Sequence, residues 1–165
     1  MAIKFGCHTS TWVLDYDKEV DCIDHIIDVV SDAGFQGIDI QVALLGKYNN
    51  DPEKLKEKRD SKGIELNALT VPFTWPKEKE TDLEKKRADF YIQYVKNFSN
   101  AKLNVPSRVG PNRKNLLERQ KEILSCANAL GKPLTKMALS LRFIQLPQKL
   151  RILGLHQITN LCLKT

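Results

Sequence analysis

The feature that most limits the possible folds is a repeat of strand-like and helix-like segments in strict alternation. "AIKFGCHTS" is a short apolar run ending in polar residues, and "DKEVDCIDHIIDVVSDAG" follows with Val20, Ile23, Ile26, Ile27 and Val30 at helical spacing. "FQGIDIQVA" reads as a second strand. "DPEKLKEKRDSKG" then reads as a helix with Asp51 as N-cap, Pro52 in its first turn and Gly63 as its stop. "IELNALTVPF" is a third strand, and "TDLEKKRADFYIQYVKNFSNA" opens on Thr81 and Glu84, a capping box. "KLNVPSRVG" and "NLLERQKEILSCANALGK" supply a fourth strand and a fourth helix. Four such units predict an α/β chain whose parallel strands are joined by helical crossovers.

In parallel α/β sheets, ligands sit at the carboxyl ends of the strands. That rule directs attention to "CHTSTW", "DIQVALLGKY", "LTVPFTW" and "VPSRVGPNR". His8 and Trp12 follow the first strand, a pairing suited to binding hydroxyls and stacking on a sugar; a solvated loop His is the plainer alternative. Asp39 and Gln41 alternate with Ile38 and Ile40, so both polar side chains share one face of the strand. Either they line a site or they make core hydrogen bonds. Thr70, Phe73 and Trp75 form either a pocket wall or a packed loop. Arg108 is a candidate for holding a phosphate or carboxylate.

No GxGxxG or GxxxxGK[ST] occurs, and no set of three or four metal ligands can be assembled at the strand ends. Cys7, Cys22, Cys126 and Cys162 are scattered without a CxxC, which predicts reduced thiols and a cytoplasmic location. Neither a signal peptide nor a membrane span is expected.

Composition changes abruptly after Lys132. Residues 133–165 contain nine Leu, five Lys or Arg and no Asp or Glu. Of 26 basic and 20 acidic side chains in the whole chain, 21 and 20 fall in residues 1–132, so this body is near +1 and the tail carries +5. The basicity therefore says little about the body, and a nucleic-acid partner is not expected.

"FGCHTSTW", "DAGFQGIDIQ", "SKGIELNALTVPF" and "ANALGK" together resemble the opening half of the sugar phosphate isomerase/epimerase proteins, in the xylose isomerase-like TIM-barrel superfamily. The resemblance implies a partial, half TIM barrel of about four to five strands. Residues 1–132 would be the N-terminal half of the barrel domain. A small-molecule sugar or sugar phosphate would be the substrate of the intact family, with His8, Trp12, Asp39, Gln41 and Arg108 on the substrate side. The family chemistry it implies is metal-assisted proton transfer next to a carbonyl. In those isomerases the divalent metal and the catalytic carboxylates belong to later strands, so the chain as given is expected to hold no cofactor and to be truncated and inactive.

The tail admits a specific explanation. If the reading frame slips by one base near Lys132, "RFIQLPQK" can hide "FHPTSPK", similar to the end of the family's fifth strand. Residues 133–165 are then an atypical, frameshifted tail. The alternative is a native tail in which "ALSLRFIQL" forms a strand itself. Three other readings stand beside the half barrel. One is a small doubly wound, flavodoxin-like binding domain, and another is a nucleic-acid enzyme like the superfamily's apurinic endonuclease. The third is a non-catalytic fragment that assembles, through its open sheet edge, with a copy of itself or with a second chain.

Overall fold

The computed structural model describes residues 4–13, 21–75, 79–108, 115–136 and 141–146. Its elements are β1 (Gly6–His8), α1 (Ile23–Asp32), β2 (Gly37–Gln41), α2 (Pro52–Ser61), β3 (Glu65–Thr70), α3 (Asp82–Val95), β4 (Lys102–Arg108), α4 (Leu116–Lys136) and β5 (Leu141–Leu146). The predicted alternation of strand and helix is present throughout.

Local chemistry explains most boundaries. The Asp51 carboxylate accepts from Lys54 N–H at 3.1 Å, and Pro52 begins α2, where a missing N–H costs nothing. Thr81 and Glu84 form the expected reciprocal box: Glu84 N–H donates to Thr81 Oγ1 at 3.2 Å and Thr81 N–H to Glu84 Oε2 at 2.9 Å. Gly34 and Gly63 follow α1 and α2 with φ of +80° and +66°, the left-handed conformation that ends a helix most cheaply in glycine. The fourth helix does not stop at Gly131. It continues to Lys136 with Pro133 inside it, so the break in composition falls within a helix.

The strands lie in one sheet in the order β1-β2-β3-β4-β5, and the β1–β2, β2–β3 and β4–β5 pairs are parallel. A doubly wound sheet reverses its strand order at a switch point. This order never reverses, which is the order of strands in a βα barrel. The tail residues Leu141–Leu146 pair with Leu103–Arg108 as the fifth strand. This is the strand that "ALSLRFIQL" foreshadows.

The chain divides into two compact units, residues 1–70 with 94–102, and residues 71–93 with 103–165. In the first, Ile23, Ile26, Ile27 and Val30 of α1 and Leu55 of α2 are buried, as are Ile38, Ile40, Leu66 and Leu69 of the strands. The register shifts between Ile38 and Asp39 as β2 pairs with β3. Leu66 pairs with Ile38 and Leu69 with Ile40, so the bulge at Asn67 keeps both leucines on the apolar face. In the second unit, Phe73 and Trp75 stack at 5.3 Å with rings 7° from parallel, both buried. They form the packed loop, not an open wall.

Ile38, Ile40, Leu66, Leu69 and Val105 are all buried. The opposite face of β1 and β2 carries Gly6, His8, Gly37, Asp39 and Gln41, paired Gly6 with Gly37 and His8 with Asp39. Phe5 is the exception, 64% exposed ahead of β1.

Candidate functional site

The polar face of the first unit gathers its side chains at the carboxyl ends of β1, β2 and β3. His8 is the last residue of β1 and caps the 3-10 turn Thr9–Trp12 that follows. Its Nδ1 accepts from Ser10 N–H at 3.0 Å. That bond makes Nδ1 the acceptor, so the proton of the neutral ring sits on Nε2.

His8 Nε2 faces Asp39 Oδ2 at 3.7 Å. This is beyond hydrogen-bond reach, although within reach of an ion pair when the ring is protonated. The carboxylate is braced from its other oxygen: Thr70 Oγ1 donates to Asp39 Oδ1 at 2.7 Å. The Asp39 side chain is 14% exposed and the His8 side chain 40%, so a sheltered acceptor stands beside an accessible donor.

Gln41, one pleat further along β2, is buried. Its backbone N–H donates to Thr9 Oγ1 at 2.9 Å, and Thr9 is fully buried. The hydroxyl of the residue after β1 thus locks the end of β2 in place. One pleat in the other direction the face has no side chains on Gly6 and Gly37. The Asn67 amide lies over both: a Cβ at either position would fall 2.3 Å from Asn67 Nδ2.

Of the residues predicted from sequence, His8, Asp39 and Gln41 come together on this face. Trp12 is half-buried at the end of the 3-10 turn after His8. Arg108 ends β4 in the second unit, and its side chain lies outside the described residues. Thr9 is the residue that sequence reasoning undervalued. Its signal was its place directly after a strand, where a small hydroxyl can reach a neighbouring strand's N–H. Asn67 was missed because a lone Asn inside "ELNALT" looks like a surface residue when the bulge is unknown.

Among the described residues no group of three or more His, Cys, Asp or Glu could hold a metal ion. His8 and Asp39 offer two donors, fewer than the three protein ligands of a typical catalytic zinc. The described residues therefore do not fit the metal site that the resemblance implies for the intact family. Two of the predicted thiols, Cys7 and Cys22, are half-buried and unbridged. Burial pushes Cys126 up to about 11, with Glu80 and Glu84 adding to the shift. Cys162 lies outside the described residues.

No family model matches the sequence, and no curated protein matches it. Solved structures do match. A xylose isomerase domain protein from Alicyclobacillus acidocaldarius aligns over 91% of this chain with a TM-score of 0.59 and 12% identity. IolI, a protein solved with a zinc atom, aligns over 87% with a TM-score of 0.58 and 15% identity. A D-psicose 3-epimerase from Clostridium cellulolyticum, solved with D-tagatose, aligns over 84% with a TM-score of 0.53 and 18% identity.

The fold is that of a partial xylose isomerase-like TIM barrel. The chain spans about half the length of these structures, 53%, 52% and 51% of each. At this identity the likeness is one of fold. It matches the half barrel read from "FGCHTSTW", "GIDIQ" and "KGIEL". No helix among the described residues is long and apolar enough to cross a membrane.

Proposed function

We propose that this chain carries the substrate-holding half of a sugar or sugar phosphate isomerase/epimerase-type site. The observation that carries the reading is the His8–Asp39 pair at the strand ends, braced by Ser10 and Thr70 on a polar sheet face. Imidazole and carboxylate side by side give a donor and an acceptor for sugar hydroxyls. Trp12 would offer an apolar ring face nearby and Gln41 would complete the floor, while Arg108, at the end of β4, stays a separate candidate for a phosphate or carboxylate. A neighbour solved with D-tagatose supports the choice of a polyol over other small ligands.

By itself the chain is proposed to be inactive. Proton transfer next to a carbonyl needs a base at the reacting carbon and stabilisation of the enediolate oxygen. His8 and Asp39 satisfy the first requirement at most. We assign the rest of the chemistry, including any divalent ion, to the part of the barrel that these strands do not supply. The zinc in one neighbour fits that division. The reduced thiols fit a cytoplasmic location.

We further propose that residues 1–132 are the family half and residues 133–165 a frameshifted tail that β4 has recruited as an edge strand. The composition break inside α4 supports this, and the coding DNA with its downstream bases decides it. β1 and β5 end the strand order, and these open edges are the places for self-association or for a complementary half. The near-neutral body favours a polyol over a nucleic acid.

The test is solvent exchange. The purified chain is incubated in deuterium oxide with ketohexoses and ketose phosphates, with and without manganese, cobalt or magnesium. Binding without deuterium uptake next to the carbonyl is expected. Catalytic uptake would overturn the inactive half, and no binding of any sugar or sugar phosphate would overturn the site.

A further inference from the structure

We propose that Glu80 is a proton-operated switch on the turn at Trp75. With its carboxyl neutral, Glu80 stays folded in and the turn is held in a strained conformation. As a carboxylate it moves out to water and the turn relaxes.

Trp75 has a φ of +42°, in the left-handed region that a bulky side chain rarely adopts. Its ring is fully buried and stacked on Phe73. Such a conformation persists only where its surroundings impose it. Here two helices do so. Glu84 of α3 accepts the Trp75 N–H at 3.0 Å through Oε1, and the Thr81 N–H and hydroxyl, both at 2.9 Å, through Oε2. Arg119 of α4 donates to the Thr74 carbonyl. The Glu84 carboxylate thus ties the backbone of Trp75 to the start of α3.

Glu80 lies beside this fastening. It is half-buried, one residue before Thr81, and its Oε1 is buried without accepting a hydrogen bond among the described residues. A charge held there gives up water at that oxygen and gains no donor in return, a cost that a neutral carboxyl largely escapes. From α3, Glu84 and Asp89 face Glu80 as like charges and Lys85 as an opposite one, while the Trp75 indole favours the carboxylate. From α4, the Cys126 thiol feels Glu80, and Arg119 and Glu122 act on that same thiol. Burial first, and then Glu84 and Asp89, hold the Glu80 carboxyl above the ordinary range against Trp75 and Lys85. A raised carboxyl stabilises the held turn in acid, and that contribution is lost as pH rises through the raised value. The turn follows β3 at its carboxyl end, the end where parallel sheets meet their ligands, so the proton on Glu80 sets the shape of a ligand-side segment.

The experiment is a pH titration of the full chain by NMR. It follows the side-chain carboxyl carbon of Glu80, assigned by comparison with Glu80→Gln, and the indole N–H of Trp75, told from that of Trp12 by Trp12→Phe. Glu80 is expected to titrate above the ordinary value of about 4.3, and the Trp75 signal to move with the same midpoint. In Glu80→Gln the Trp75 signal should keep its acid position at every pH. Two exposed charge variants test the sign without touching the fastening. Asp89→Asn should lower the midpoint and Lys85→Gln should raise it, each by a few tenths of a unit.

A Glu80 midpoint at the ordinary value, or a Trp75 signal that ignores the titration of Glu80, overturns the switch. A Trp75 titration that persists in Glu80→Gln assigns it to another group and overturns it as well. If Glu80→Gln does not fold, the charge variants decide: a Trp75 midpoint that neither of them moves rejects the proposal.

Discussion

The Tyr48 hydroxyl donates to Asp24 Oδ1 at 2.7 Å, tying the turn after β2 to the first turn of α1. Lys47 pairs with the other oxygen of the same carboxylate, and Tyr94 Oη donates to the Tyr48 carbonyl at 2.8 Å. A loop that leaves the candidate site is therefore fastened from two helices. Burial first, and then the hydrogen bond to Asp24, pushes the Tyr48 phenol up to about 12.

That shift predicts an alkaline limit to stability. The folded value lies above the ordinary value of about 10. The contribution is therefore whole below about pH 10 and is lost as pH rises toward 12. Urea melts between pH 9 and 12 should show this loss. Tyr48→Phe should remove about 1 kcal/mol at neutral pH and flatten the alkaline slope. An unchanged slope in the variant would mean that another group sets the limit.

Thr9 gives a second prediction. Its hydroxyl is the acceptor for the Gln41 N–H, and both residues are buried. Thr9→Val keeps the volume but leaves that N–H unpaired, at a cost of about 1–3 kcal/mol. Thr9→Ser should recover most of it. Denaturant unfolding of the two variants checks the order, and equal stability of both would show that the hydroxyl is not the cause.

Much of this was legible before any coordinates. Periodicity gives the helices because their burial is one-sided, as in Ile23, Ile26, Ile27 and Val30. The caps at Asp51 and Thr81 are local chemistry and need no tertiary information. Alternation places Asp39 and Gln41 on one face correctly. What sequence could not supply was register. The bulge opposite Ile38 and Asp39 depends on how β3 meets β2, and it decides which face Leu66, Asn67 and Leu69 take. His8 as a cap of its own turn, and the Thr70 brace on Asp39, likewise depend on neighbours more than 30 residues apart or on a turn geometry that "CHTSTW" does not announce.

The glycine pair gives a third prediction. Gly37→Ala would set its Cβ 2.3 Å from Asn67 Nδ2 and 2.6 Å from Asn67 Cγ. Asn67 is exposed and can move, so the expected cost is about 1–2 kcal/mol and the fold survives. Asn67→Ala should suppress that cost. A double-mutant cycle by urea unfolding should therefore give a coupling of about 1 kcal/mol, and strict additivity would show that the two do not meet.

The final prediction concerns the tail. Among the described residues all four α-helices end by Lys136, whereas β5 lies beyond it and pairs along β4 from Leu103–Leu141 to Arg108–Leu146. A chain cut after Lys136 therefore keeps these four helices but uncovers the N–H and C=O groups of β4. An uncovered parallel edge is a template for another strand. Circular dichroism of the cut chain should retain its helical signal. Size-exclusion chromatography should show association that grows with concentration and exceeds that of the full chain. A cut chain that stays monomeric and unfolds with the same cooperativity would show that β5 covers nothing of consequence. A cut chain that loses its helical signal would show instead that the tail helps to hold the body together, against its reading as an addition to a finished half barrel.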